Sequence, residues 1–108
     1  MNRKYTLLLI LLLLTIASVL YWRNFYTPFY PVAYKGGEYI VNNTEPLSNS
    51  FNHNITQVLE YYEEDYKICQ GIVHVKNSLH KNDALMYNYT RKAQDSIWMV
   101  KHKLQYKQ

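Results

Sequence analysis

An uncharged apolar stretch near the amino terminus constrains this chain more than any other feature. Residues 6–22 contain TLLLILLLLTIASVLYW, with Arg3 and Lys4 before them and Arg23 directly after them. A helix of this length is about 25 Å long, which approaches the thickness of the hydrocarbon core of a bilayer. The sequence therefore predicts an N-terminal signal-anchor transmembrane helix over residues 1–23.

A cleaved secretory signal is the alternative interpretation of this stretch. Such a signal has a basic start, an apolar core of about 7–15 residues and a cleavage site with small side chains. Residues 7–14 fit that core and residues 15–17 fit that site. The apolar run continues to Trp22, however, and aromatic residues at both ends (Tyr5, Tyr21) are typical of membrane-spanning helices. We therefore favour a single-pass anchor that is retained.

The basic residues around the stretch predict its orientation. Arg3, Lys4 and the terminal amine precede it, whereas Arg23 alone follows closely, and the next basic residue is Lys35. Basic residues are enriched on the cytoplasmic side of spanning helices. We therefore expect a cytoplasmic amino terminus and an extracytoplasmic C-terminal region, with the reverse orientation as the alternative.

Composition limits the function classes. The chain has 108 residues and a net charge of +4, which is spread along the sequence without a nucleic-acid recognition motif. Cys69 is the single cysteine, so an intramolecular disulfide is excluded. The sequence contains no HExxH, CxxC or GxSxG motif and no glycine-rich phosphate loop. We expect no nucleic-acid partner, no enzymatic activity, no catalytic residues, no cofactor and no metal site.

Residues 24–53 have the composition of an aromatic and proline-rich linker. Within it, the Gly-Gly pair at 36–37 separates two short β-prone runs, a pattern that predicts a β-hairpin over residues 32–41. The implied cross-strand pairs are Lys35 with Glu38, Tyr34 with Tyr39, Ala33 with Ile40 and Val32 with Val41. An extended loop with a glycine bend is the alternative.

The remaining residues, 54–106, show a helical period. Apolar side chains recur at spacings of four and three in two series: Ile55, Leu59, Tyr62, Tyr66, Cys69 and Val73, then Met86, Thr90, Ala93, Ile97, Val100 and Leu104. The pattern predicts an antiparallel two-helix hairpin that turns near residue 81, with Asn54 and Asn82 as helix caps. Two helices that pack separately on other subunits are the alternative. The predicted fold class is mainly α, with a transmembrane helix, an irregular or β-hairpin linker and this helical hairpin.

A two-helix hairpin has too little interior to bury the aromatic residues of this chain. Unburied aromatic side chains are typical of protein contacts. The predicted docking residues are Phe29, Tyr30, Tyr34, Tyr39, Tyr61, Tyr87 and Trp98. We therefore expect an accessory or assembly subunit of a membrane complex, with the lipid bilayer and other protein subunits, or a second copy, as partners. The alternative is a small phage or viral membrane effector with a spanin-like layout, acting in lysis or exclusion.

Overall fold

The structure, a computed structural model, describes residues 2–42 and 47–108. These residues form a mixed α/β chain in which one long apolar helix precedes a small folded module. The elements in chain order are α1 (Arg3–Asn24), β1 (Tyr26–Pro28), β2 (Val32–Lys35), β3 (Glu38–Val41), α2 (Asn49–Tyr61), β4 (Tyr66–Cys69), β5 (Ile72–Lys76), α3 (Asn77–His80), α4 (Asp83–Ala93) and α5 (Ser96–Lys101).

Helix α1 is long and apolar enough to cross a membrane. Asn2 caps its start, where the Asn2 side chain accepts a hydrogen bond from the Lys4 backbone N–H at 3.3 Å. None of its residues is buried against the module. A helix that is apolar on every side needs either a protein core or lipid around it, so α1 is a candidate membrane span.

Asn77 attaches the module to the carboxyl end of α1. Its side-chain amide donates to the Trp22 carbonyl oxygen at 2.8 Å, and its backbone N–H donates to the Phe25 carbonyl oxygen at 2.8 Å. The last carbonyl groups of a helix have no partner inside the helix. Asn77 satisfies two carbonyl groups at this end of α1 and fixes where the module begins.

Two antiparallel sheets follow α1. Strands β1, β5 and β4 form one sheet in that order, and β2 and β3 form a separate hairpin. The hairpin pairs Lys35 with Glu38 and Tyr34 with Tyr39, as the Gly-Gly pattern predicts. Gly36 and Gly37 have φ angles of 59° and 80°, so the turn uses the left-handed conformation that glycine adopts without strain.

The prediction of a continuous helical hairpin over residues 54–106 is wrong, and the fold is therefore mixed rather than mainly α. Residues 66–76, placed inside the first long helix, form strands β4 and β5. Gln70 and Gly71 have φ angles of 53° and 77° and make a tight turn between the strands. β-Branched residues at 68, 72, 73 and 75 favour extended backbone on both sides of that turn.

The second predicted helix is also divided. Helix α4 ends at Ala93 and α5 begins at Ser96, because the Asp95 side chain accepts the Trp98 N–H at 3.0 Å and caps a new helix. The break turns Ile97 and Val100 to the surface, where they are 80% and 66% exposed. Cys69, which the predicted hairpin places on the inner face of its first helix, is exposed as well.

The core lies between α2, α4 and the inner face of the three-stranded sheet. Its buried apolar residues are Phe29, Val32, Ile55, Val58, Leu59, Val73, Val75, Leu79, Met86, Tyr89 and Ala93. Thr90 ties β2 to this core, since its hydroxyl donates to the Met86 carbonyl at 2.7 Å and accepts the Val32 N–H at 3.2 Å. The apolar series on α2 and α4 thus face inward, although the chain between them is not helical.

The two predicted helix caps have different outcomes. Asn82 caps α4, where its side chain accepts the Leu85 N–H at 3.2 Å. Asn54 lies inside α2, which begins at Asn49 and is capped by Ser48. The buried Asn54 amide instead binds the backbone of Lys107 in both directions, at 2.8 and 2.9 Å. Asn54 therefore holds the carboxyl-terminal tail against α2.

Candidate docking surface

Phe29 is a core residue rather than a surface contact. Its side chain is 1% exposed and packs 6.2 Å from the Phe51 ring, between ring centres. Its backbone N–H donates to the Val73 carbonyl at 2.8 Å, which extends the pairing of β1 with β5. Tyr30 is partly exposed and meets the edge of the His80 ring at 5.7 Å. The structure therefore removes Phe29 from the predicted docking residues.

Three of the predicted tyrosines come together on the surface, and we call them the tyrosine triad. Tyr34 on β2, Tyr39 on β3 and Tyr87 on α4 have ring centres 5.1 to 5.9 Å apart. Tyr34 and Tyr39 face each other across the hairpin and remain 50% and 41% exposed. The triad joins the hairpin to α4 and presents rigid aromatic area to the outside.

Tyr61 and Trp98, the other predicted residues, belong to a second group, the aromatic stack. Its rings are those of Tyr61, Tyr62, Tyr89, Trp98 and His102, with neighbouring centres between 4.3 and 6.2 Å apart. The Lys92 ammonium lies 4.7 Å from the Tyr62 ring centre and 5.2 Å from that of Trp98, and it donates to the Tyr62 hydroxyl. A cation over two rings stabilises the stack electrostatically. The stack holds α5 against the end of α2.

Arg91 lies between the triad and the stack. Its guanidinium carbon is 5.8 Å from the Tyr87 ring centre, and its Nη1 donates to the Tyr87 hydroxyl at 3.3 Å. Arg91 lines three adjoining surface depressions, one reaching Tyr34, one reaching Trp98 and one reaching Ile97. We define the Arg91 face by these residues: Tyr34, Tyr39, Tyr87, Arg91, Ile97 and Trp98.

Within the described chain no carboxylate forms an ion pair with Arg91, although Asp95 also lines two of the three depressions. Across residues 2–42 and 47–108 the structure contains one ion pair, in which Lys76 Nζ lies 2.8 Å from Asp65 Oδ2. Arg91 instead contacts a ring and a phenol. In the same part of the chain, no three His, Cys, Asp or Glu side chains converge as a metal site. The geometry thus offers aromatic area and a cation for contact.

Sequence reasoning missed Arg91, Lys92, Tyr62 and His102. A local signal exists for Arg91, because residues four apart on a helix share a face and Tyr87 precedes it by four. The stack has no such signal, since Tyr61 and Trp98 lie on helices separated by two strands and two helices. Their contact follows from the tertiary fold alone.

Two glutamates change the acidity of buried or half-buried phenols. The Tyr89 hydroxyl donates to Glu64 Oε1 at 3.0 Å, and burial together with this bond raises the pKa of Tyr89 above its ordinary value. The Tyr66 hydroxyl donates to Glu60 Oε1 at 2.5 Å, and this bond raises the pKa of Tyr66. Both carboxylates therefore act as acceptors that keep the phenols protonated.

We expect Tyr89 to make the stability of the module sensitive to alkali. Because its pKa is higher in the folded chain, its contribution to stability is complete below the ordinary phenol value and is lost as pH rises past it. We expect Tyr89→Phe to lower the free energy of unfolding by about 1 kcal/mol at neutral pH. We also expect it to flatten the loss of stability above about pH 10. Urea unfolding at neutral pH and above about pH 10 measures the free energy of unfolding, with Tyr39→Phe as an exposed control. If Tyr89→Phe and the unmodified chain lose the same free energy of unfolding between the two pH values, the prediction is contradicted.

Comparison with family models, with curated proteins and with solved structures finds no match to this chain. The architecture is that of a candidate membrane-spanning helix joined to a small α/β module with an exposed aromatic face.

Proposed function

We propose that this chain is a single-pass membrane-anchored interaction protein, an accessory or assembly subunit of a larger membrane complex, and not an enzyme. Helix α1 is the anchor, with the amino terminus cytoplasmic and the module outside the cytoplasm. The module docks through the Arg91 face. The observation that carries this proposal is the position of Arg91, between two aromatic groups and within three adjoining depressions.

The composition of the Arg91 face is that of an interface centre. Tyrosine, tryptophan and arginine are enriched where protein interfaces concentrate their binding energy, because they combine large area with polar groups and few rotatable bonds. Ile97 and Val100 extend the face along α5 with apolar side chains that the module leaves uncovered. Exposed apolar side chains beside aromatic rings are typical of a surface that another protein covers, because burial there removes them from water.

A different subunit fits this face better than a second copy. A two-fold interface centred on Arg91 places one guanidinium group opposite its own symmetry mate, and like charges at such a centre repel each other. A partner that presents a carboxylate to Arg91 and an apolar residue to Ile97 both pairs the guanidinium charge and buries the exposed isoleucine. We therefore propose an acidic and apolar patch on another subunit, with self-association as one outcome of the test.

The spanin-like effector has no supporting observation. That layout needs a long coiled coil after the anchor. Residues 66–76 instead form a β-hairpin, and the longest described helix after α1 is Asn49–Tyr61.

Copurification from native membranes in mild detergent tests the proposal. We expect the tagged full chain to retain a companion subunit and Arg91→Glu to weaken that retention about tenfold, as loss of an interface anchor does. Lys107→Glu is the matched control, since it reverses a charge on the exposed tail outside the Arg91 face.

The outcomes separate the alternatives. Loss of the companion in Arg91→Glu and not in Lys107→Glu supports the proposal. A homo-oligomer that Arg91→Glu dissociates replaces the other subunit with a second copy. Recovery of a folded, lone monomer, or equal retention in both variants, overturns docking through this face.

A further inference from the structure

A groove lies where the end of α1 meets the three-stranded sheet. It has a volume of about 490 Å³. Helix α1 and the residue after it contribute Leu20, Tyr21 and Phe25, and the sheet contributes Lys67, Cys69 and His74. The groove lies away from the Arg91 face and has no part in the docking proposed above.

The sheet turns its outer face toward this groove. Val73 and Val75 are buried in the core, so His74 between them lies on the opposite face. Register places Lys67 directly opposite His74, and residues that pair across strands share a face. The outer face therefore lies beside the last turns of the candidate membrane span rather than over the core.

The sheet side of the groove is basic. The Lys67 ammonium lies 4.4 Å from the Tyr26 ring centre, and no carboxylate within the described residues pairs with it. His74 Nδ1 lies 2.9 Å from the Ile72 carbonyl oxygen, to which it donates. Asp65 forms its ion pair with Lys76, not with Lys67. The groove thus contains the Lys67 ammonium group and the His74 imidazole, with room for an anion.

The helix side of the groove is apolar and continuous with α1. Leu20, Tyr21 and Phe25 are about half exposed or more. Ile72, which pairs with Cys69 on the outer face, is 46% exposed and adds apolar surface beside the β4–β5 turn. An apolar wall facing a basic wall matches a molecule with an anionic head and a hydrocarbon tail.

We propose that this groove seats the phosphate-bearing headgroup of an anionic phospholipid from the leaflet in which α1 ends. Lys67 and His74 face the phosphate, and Leu20 and Phe25 contact the glycerol and upper acyl carbons. The inference rests on the proposed function in one respect, since it needs α1 to span a bilayer. Leu20 lies in the last turns of that span, which places the groove at headgroup depth, and basic side chains there attract anionic lipid. A soluble phosphate leaves the apolar wall exposed, so a lipid is the occupant.

Lipid retention by the full chain tests this inference. The chain is purified in micelles that contain equal amounts of phosphatidylcholine and phosphatidylglycerol, and the lipids that stay bound are counted by native mass spectrometry. We expect phosphatidylglycerol to be retained over phosphatidylcholine, and Lys67→Gln to reduce that preference about fivefold, the effect of one basic residue near an anionic surface. His74→Gln is expected to act in the same direction.

Lys101→Gln is the charge-matched control, because it removes the same charge from an exposed position at the end of α5. All variants are compared by circular dichroism, so a folding defect is recognised. If Lys67→Gln and Lys101→Gln reduce the phosphatidylglycerol preference equally, the proposed lipid site is overturned, since the chain then attracts anionic lipid by net charge alone. Membrane-embedded chain without any phosphatidylglycerol preference overturns the groove and leaves the anchor intact, whereas a chain that carbonate extracts from membranes overturns the anchor.

Discussion

Leu59→Ala is expected to lower the free energy of unfolding of the module by about 3 kcal/mol. Leu59 lies in α2, is fully buried and belongs to the same core cluster as Ile55 and Val58. Truncation removes apolar area from the core and leaves a cavity that the surrounding helix and sheet fill only in part. Because small domains have total stabilities of about 5–15 kcal/mol, this loss is a large fraction of the whole.

Leu85→Ala is the matched control for this experiment. Leu85 lies on α4, is 36% exposed and is not part of the core cluster, so the same deletion there is expected to cost about 0.5 kcal/mol. Urea unfolding of the full chain in detergent, followed by the near-ultraviolet circular dichroism of the aromatic stack, measures both variants. Equal stabilities for Leu59→Ala and Leu85→Ala contradict a core built around α2.

The burial pattern on α2 and α4 was predictable because both segments are helices. Ile55 and Leu59 on α2, and Met86 and Ala93 on α4, recur at helical spacing and are all buried. A period of three to four residues brings such side chains to one face wherever the helix lies in the fold. The pattern thus identifies the inward faces correctly without identifying what they pack against.

The strands between these helices were not predictable from the same period. Tyr66 and Val73 fit the apolar spacing of a helix, yet Gln70 and Gly71 adopt positive φ and reverse the chain. Gly71 adopts positive φ without strain, and this local preference for a turn competes with the helical period. The pairing of β5 with β1 favours the strands over a helix, and it joins residues far apart in sequence.

The candidate docking surface also combines contacts that local sequence predicts with contacts that depend on tertiary packing. The contact of Tyr34 with Tyr39 follows from the Gly-Gly turn, because register determines which side chains face each other. Tyr87 and Arg91 join them through the packing of α4 on β2, which no local pattern encodes. Phe29 shows the reverse case: an aromatic residue between prolines is buried because β1 pairs with β5.

Leu13→Arg is expected to abolish stable membrane insertion of the full chain. Leu13 lies at the middle of α1, where a charged side chain costs about 2.5–3.5 kcal/mol on insertion and is too deep to reach either surface. Tyr5→Arg is the control, since an arginine at the helix end extends its charged group into the headgroup layer. Carbonate extraction followed by intact mass measurement reports both insertion and cleavage.

This experiment also decides between the anchor and the cleaved signal. A retained anchor leaves the unmodified chain and Tyr5→Arg in the membrane pellet at full mass and moves Leu13→Arg out of it. A cleaved signal releases a shorter unmodified chain, and this result contradicts the anchor. The distinction matters because Asn77 binds the Trp22 and Phe25 carbonyl groups at the end of α1. Cleavage after residue 17 leaves that end too short to hold a membrane, whereas retention fixes the Arg91 face and the basic groove at set positions relative to the bilayer.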